Sequence, residues 1–167
     1  MAVEPNNLFN RMAISSLTPE TPLQQLLDEM EVAWRLVEGR RRRGLGCEYL
    51  GDLLPGLFAE AGLADIRVWL CDRALPLVPP YAAPEQQAML SAIQRWHADG
   101  SGPYDRAEFT ADLAAGGADP ARIERAWQAM LDGLAESDRA IAGRRLHAAG
   151  GGLFYIVAGQ VPHRMIR

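Results

Sequence analysis

The run Gly152–Val161, GLFYIVAGQV, constrains this chain more than any other stretch. Successive side chains of a strand point to opposite faces, so Leu153, Tyr155 and Val157 would share one face there and Phe154, Ile156 and Ala158 the other. An apolar pattern on both faces predicts a central strand between two layers, which places the chain in the α/β class. A central strand needs a neighbour on each edge. Ile66–Cys71 supplies one and is expected to pair antiparallel with residues 153–158. The other candidate is Met1-Ala2-Val3, which runs into Glu4-Pro5 and is too short to be a central strand itself.

The first of these neighbours comes with its own helix. In GLGCEYLGDLLPGLFAEAGLADIRVWLCDR, Gly44–Arg73, Asp52 is placed to cap a helix and Pro55 to sit in its first turn, where a missing N–H costs little. Leu53, Leu54, Leu57, Phe58 and Ala61 form its apolar face. Gly62 followed by Leu63 predicts a left-handed exit with a hydrophobic contact back onto the last turn. The strand comes next, with Ile66, Val68 and Leu70 on one face and Arg67, Trp69 and Cys71 on the other. It should be covered on one side and partly on the second.

The remainder reads as helices. Thr21-Pro22-Leu23-Gln24 combines a capping hydroxyl, a first-position proline and a glutamine, and opens a long helix. Its apolar stripe is Leu23, Leu26, Leu27, Met30, Trp34 and Val37, a face spaced for the core or for a lid over a substrate. Arg40–Arg43 then suit a solvated helix end, where cations favour the helix dipole. After Ile66–Cys71, the proline-rich stretch Leu75–Tyr81 cannot be a central strand. A helical insertion, residues 82–146, follows. Met89, Ile93 and Trp96 mark its first helix, Asp105, Glu108, Phe109 and Leu113 a short second, and Asp119-Pro120 opens a third carrying Ile123, Trp127, Met130, Leu134 and Ile141.

The length fits a single segment, 1–167, able to bury a sizeable core. Net charge is −4, which gives no electrostatic reason to expect nucleic acid or an anionic membrane as partner. No apolar stretch has the length of a membrane span, so no membrane is expected either. Two cysteines, Cys47 and Cys71, with no secretory core predict buried free thiols in a reducing, cytoplasmic compartment.

Reactive constellations are scarce. Paired histidines, a CxxC, a serine elbow and a phosphate loop are all missing from the sequence, so no metal site is expected and no catalytic residue is identified. Asn6 and Asn7 follow Pro5 at a strand's C-terminal end, where open α/β sheets hold their ligands; the plainer reading, an Asn-rich turn, has the greater weight. His97 and His163 read as surface histidines. His147 precedes the glycine run before the last strand.

Taken in order, Glu4-Pro5-Asn6-Asn7, Gly51-Asp52, Pro55-Gly56-Leu57, Glu60-Ala61-Gly62-Leu63, Asp72, Pro79-Pro80-Tyr81 and His147–Gly152 resemble the C-terminal half of a Rossmann-like S-adenosylmethionine-dependent methyltransferase. The resemblance covers nearly the whole chain and lies in scaffold positions. It implies that the final strand inserts antiparallel between the fifth and sixth strands of a larger sheet. It also implies that Glu4, Asn6, Asn7 and His147 lie next to substrate or cofactor. The family's glycine-rich turn after the first strand and acidic residue after the second are absent, so the chain alone is expected neither to bind S-adenosylmethionine nor to be active. The start itself would then be internal: a natural C-terminal fragment, or a start placed at an internal methionine. The alternative is a non-catalytic partner-binding module, or the complementary half of a split methyltransferase. An open sheet edge beside Met1–Glu4 predicts self-association into a homo-oligomer or a need for a complementary N-terminal half.

Overall fold

A computed structural model of the chain describes residues 1–6, 22–71, 74–99, 104–149 and 152–162, with the side chains of Trp96 and His97 left aside. The described elements run β1 (Ala2–Pro5), α1 (Leu23–Arg42), α2 (Leu50–Glu60), β2 (Ala64–Leu70), α3 (Pro84–Ala98), α4 (Arg106–Ala115), α5 (Pro120–Ala142) and β3 (Phe154–Gln160). The fold is mixed α/β, with one three-stranded sheet among the described residues, and it divides into two units. β1, α2, β2 and β3 make a sheet unit; α1, α3, α4 and α5 make a helical unit.

In the sheet unit the order is β1-β3-β2 and both pairings are antiparallel. Val68 lies opposite Val157 and Leu70 opposite Tyr155, so the expected pairing of the two late strands is present. The short N-terminal run does fill the other edge of β3, with Ala2 opposite Val157 and Pro5 opposite Phe154. β1 and β2 are therefore parallel to each other, with both α1 and α2 between them along the chain and β3 running the other way between them in the sheet.

Helix α2 covers one face of this sheet. A Cβ on Gly51 would press on the Tyr155 ring, and one on Gly159 would touch Leu63 and Phe58, so the face carrying Tyr155, Val157 and Gly159 is the covered one. Val157 at its centre is fully buried. Within the sheet unit the described residues supply one covering layer only: Phe154 on the opposite face is exposed, as are Val3 and Trp69 beside it. β2 is exposed along most of its length, because it is an edge strand reached by one helix only.

Two local readings also change. α2 begins at Leu50, a turn earlier than its capping signals imply; Tyr49 precedes it without a side-chain cap, and Pro55 falls inside the helix. Asp52 is thereby moved into the first turn, and its carboxylate is used elsewhere. The exit behaves as the sequence indicates, with Gly62 at φ 78° and the Leu63 N–H donating to the Phe58 carbonyl at 3.0 Å.

The helical unit holds two apolar clusters. In the first, Leu36 of α1, Phe109 and Leu113 of α4, and Ile123, Ala126 and Trp127 of α5 pack together. The Phe109 and Trp127 rings meet edge to face at 5.3 Å, an arrangement that adds about 1 kcal/mol to their burial. In the second, Leu77, Tyr81, Leu90, Ala140, Ile141 and Leu146 close around a short antiparallel bridge between Leu77 and Ala148. The Tyr81 hydroxyl donates to the Leu146 carbonyl at 2.9 Å, which satisfies the one polar atom this ring brings inside. Asp105 and Asp119 cap α4 and α5 as their spacing predicts, accepting from Ala107 and Glu108 N–H groups and from that of Arg122.

Helix α1 buries only part of the expected stripe. Its buried residues are Ala33, Leu36, Val37 and Gly39, so Val37 of the stripe is inside and Leu26 half-buried, while Leu23, Leu27, Met30 and Trp34 are exposed. Backbone proximity decided this. Gly39 sits against the backbone of Asp112 in α4, and Gly116, at the C-terminus of α4, sits against that of Arg35 in α1. At each of these contacts one helix presents a glycine to the other's backbone, and that close approach turns the large side chains outward. Pro22, without a side-chain cap, precedes the helix; the expected capping residue Thr21 lies outside the described residues.

The arginine run is not a freely solvated helix end. Arg40 and Arg43 both donate to the Asp112 carboxylate, and Arg42 donates to the Ala115 carbonyl at 3.1 Å. Arg41 and Arg42 also hold Glu38, in that order of strength, and keep its carboxyl at about 2, well below its ordinary value.

Candidate functional site

The C-terminal ends of β1 and β2 and the N-terminal end of β3 meet at one edge of the sheet unit. There the Asn6 N–H donates to the Leu153 carbonyl and the Cys71 N–H to the Phe154 carbonyl, both at 2.9 Å. This is the edge at which open α/β sheets hold ligands. Asn6 is buried, and its amide Nδ2 donates to the Asp52 carboxylate in the first turn of α2. The Tyr155 hydroxyl donates to the same carboxylate, with Asn6 also in reach. Gly51, with no side chain, lets α2 approach closely enough for this: a Cβ there would meet the Tyr155 ring at 2.6 Å and the Glu4 carbonyl at 3.1 Å.

Each link of this cluster follows from local chemistry. Asp52 lies where the positive end of the α2 dipole favours an anion. Tyr155 is the one residue of the β3 core that carries a hydroxyl, and a half-buried phenol needs an acceptor. The Asp52 carboxylate, and then burial, push the Tyr155 phenol above its ordinary value. It is therefore held as an O–H donor and does not serve as a base. A carboxylate already receiving an amide and a phenol acts as a fastener, joining the end of β1, the start of α2 and β3.

Removing the phenol measures that role. Tyr155→Phe should cost about 1 kcal/mol at neutral pH, below the 1.5–3 kcal/mol of a hydrogen bond to a buried charge because Asp52 is exposed. The phenol's folded pKa is raised, so its contribution is fully present below the unfolded value near 10 and is lost as pH rises through the folded one. Urea unfolding of both proteins from pH 7 to 11 should show the gap closing only at the alkaline end. A gap unchanged across that range would detach Asp52 from the hydroxyl.

Of the residues singled out in the sequence, Glu4 and Asn6 share this edge. Glu4 lies opposite Tyr155 in the ladder and is half-buried. Asn7 lies outside the described residues. His147 belongs to the helical unit, exposed between buried Leu146 and the bridging Ala148. The chain thus brings Glu4 and Asn6 together and assigns His147 to a different unit. Asp52 was read as a cap and Tyr155 as apolar surface. The missed signal was the hydroxyl itself, a polar atom in a strand otherwise apolar on both faces.

The helical unit carries a depression of about 170 Å³, lined by Glu31, Arg35, Gly117, Ala118, Asp119, Arg122 and Arg125. Arg122 is committed to Glu31 at 2.9 Å and to Asp28, Arg35 donates to Glu31 at 2.7 Å and to the Gly116 carbonyl, and Asp119 is spent on its cap. It is an ion-pair network holding α1 to the start of α5. Among the described residues no cluster of histidine, cysteine and carboxylate groups could hold a metal ion, and no helix is long and apolar enough to cross a membrane. Both cysteines are free; Cys71 is exposed and Cys47 half-buried, so neither is the buried thiol expected of it. No protein-family model and no curated protein matches this sequence.

Proposed function

We propose that this chain forms the C-terminal part of a Rossmann-like S-adenosylmethionine-dependent methyltransferase, with a methyl acceptor that none of its residues identifies. The strand order carries the reading. A last strand lying antiparallel between two mutually parallel strands is the arrangement expected of the end of that fold. Glu4-Pro5-Asn6 falls at the carboxyl end of β1, the edge where such a sheet would hold its ligands. Methyl transfer asks chiefly that a nucleophile be held in line with the methyl group, so a sparse set of reactive side chains is compatible with it.

These residues alone are expected to leave S-adenosylmethionine unbound: β1 runs into Glu4-Pro5-Asn6 and not into a glycine-rich turn, the Asn6 amide is used on Asp52, and the depression of the helical unit is lined largely by ion-paired side chains. The second reading, a partner-binding module or the complementary half of a split enzyme, is favoured by the exposed face of the sheet.

Titration of the 167-residue chain with S-adenosylmethionine should give no binding heat. A micromolar dissociation constant, about −8 kcal/mol, would overturn the assignment of these residues to the half without the cofactor turn. The coding sequence upstream of Met1 supplies the other arm. If it encodes a strand followed by a D-x-G-x-G-like turn, the extended chain should bind the cofactor. An upstream region without such a turn leaves the second reading.

A further inference from the structure

β2 ends the sheet order β1-β3-β2, so no strand lies along its outer edge among the described residues. The ladder fixes which of its residues face that edge. The Cys71 N–H donates to the Phe154 carbonyl, and Trp69 and Arg67 lie opposite Ile156 and Ala158, so these three residues turn their backbone groups toward β3. Val68 and Leu70 alternate with them and turn theirs outward. These two residues are 45% and 56% exposed, and Trp69 between them is 47% exposed. β1, the opposite edge, offers less. There the Asn6 N–H donates to the Leu153 carbonyl and Glu4 lies opposite Tyr155, which leaves Val3 and Pro5 facing outward, and proline has no N–H to give.

We propose that β2 pairs antiparallel with β2 of a second copy about a two-fold axis at Trp69, making one continuous sheet of the two sheet units. The register is set by the strand itself. An irregularity in the ladder between Ala64 and Arg67, with Asp65 at φ 48°, leaves Arg67–Cys71 as the regular stretch of edge, and Trp69 is its middle residue. Val68 of each copy then stands opposite Leu70 of the other as a hydrogen-bonded pair, so about four main-chain bonds form and the outward N–H and C=O of both residues are used.

Strand addition draws its affinity from main-chain hydrogen bonds, and the side-chain pairs supply the specificity. The pairs formed about this axis are compatible. Val68 shares the face of Val157, which α2 covers, so it meets Leu70 of the other copy on that side. Trp69 meets Trp69 on the open face, in the closer, non-hydrogen-bonded kind of cross-strand pair, where aromatic side chains attract. Arg67 falls opposite Cys71, so no like charges face each other across the axis. All of these residues belong to the sheet unit. The inference stands on the ladder and does not need the methyltransferase reading.

Sedimentation of the full chain from about 10 to 500 µM should show a monomer–dimer equilibrium. Val68→Pro removes an outward N–H that β3 does not use, so it should keep the sheet and weaken the dimer at least about tenfold. Trp69→Lys puts two cations together at the axis and should do the same. Val3→Glu, on the far edge strand, should leave the dimer unchanged, and circular dichroism checks that each variant is folded. Arg67→Cys reads the register: set opposite the free Cys71 of the second copy, it should give a disulfide-linked dimer under mild oxidation much faster than the native chain does. A monomer at the highest concentration overturns the proposal. So does a dimer that a folded Val68→Pro or Trp69→Lys chain retains at full strength, one that Val3→Glu weakens equally, or an Arg67→Cys chain that cross-links no faster than the native one.

Discussion

Gly39→Ala should destabilise the helical unit by about 3 kcal/mol or more, and Gly116→Ala should do nearly the same. At Gly39 an added Cβ would overlap the Asp112 carbonyl oxygen, and at Gly116 it would overlap that of Arg35. Both obstructing atoms are backbone, so no side chain can turn aside and the two helices must separate. Overpacking usually costs 1–3 kcal/mol, and the rigidity here puts these sites at or beyond its upper end. The gain of about 1 kcal/mol that alanine brings to a helix interior is outweighed. Gly133→Ala isolates that gain in the same unit, since nothing lies within 4 Å of its Cβ position in α5. It should stabilise. Urea unfolding followed by circular dichroism should therefore give opposite signs for one substitution at two helical glycines. Equal effects would mean that α1 and α4 do not approach each other through Gly39 and Gly116. The loss is a large share of the 5–15 kcal/mol that a whole domain has.

Asp112→Asn should cost about 2–3 kcal/mol without changing the shape of the side chain. Asp112 is 2% exposed and accepts from Arg40 and Arg43, the last turn of α1 and the residue after it. Removing one partner of a fully buried ion pair costs 3–5 kcal/mol, because the other charge is stranded. Here both guanidiniums keep about a third of their surface in water, which lowers the penalty. An asparagine would also turn an N–H₂ group toward at least one of them, placing donor against donor. Arg41→Ala is the comparison, since its ion pair with Glu38 lies on the surface, where solvent screens it; it should change stability far less than Asp112→Asn. If Asp112→Asn and Arg41→Ala proved equally mild, the four arginines would be the solvated helix end that their position alone implies.

The contrast between these sites shows where the sequence carried information. Period and punctuation were legible. The alternation in residues 153–158 and 66–71 announced two strands and their pairing, Gly62 announced the end of α2, and Asp105 and Asp119 announced α4 and α5. Each of these depends on a residue's own backbone preference or on neighbours within four positions. The Asn6–Asp52–Tyr155 cluster was not legible in that way, because its members are 46 and 103 positions apart along the chain. Only the pairing of β1 with β3, and the approach of α2 allowed by Gly51, put them in reach of one another.

Helix α1 marks the boundary most sharply. Its spacing predicted a helix correctly and its buried face only in part, at Val37. Hydrophobic period reports which side chains would gain from leaving water, about 25 cal/mol for each Å² of apolar surface. It does not report where another backbone can come closest. In α1 the close approach at Gly39 and Gly116 selected the face that carries Ala33, Leu36 and Val37 for the interior. Leu23, Leu27, Met30 and Trp34 were left outside. The elements, and the caps of α4 and α5, were thus determined by the sequence through local energetics, whereas the face each element buries, and the partner of each buried charge, were decided by which backbones meet.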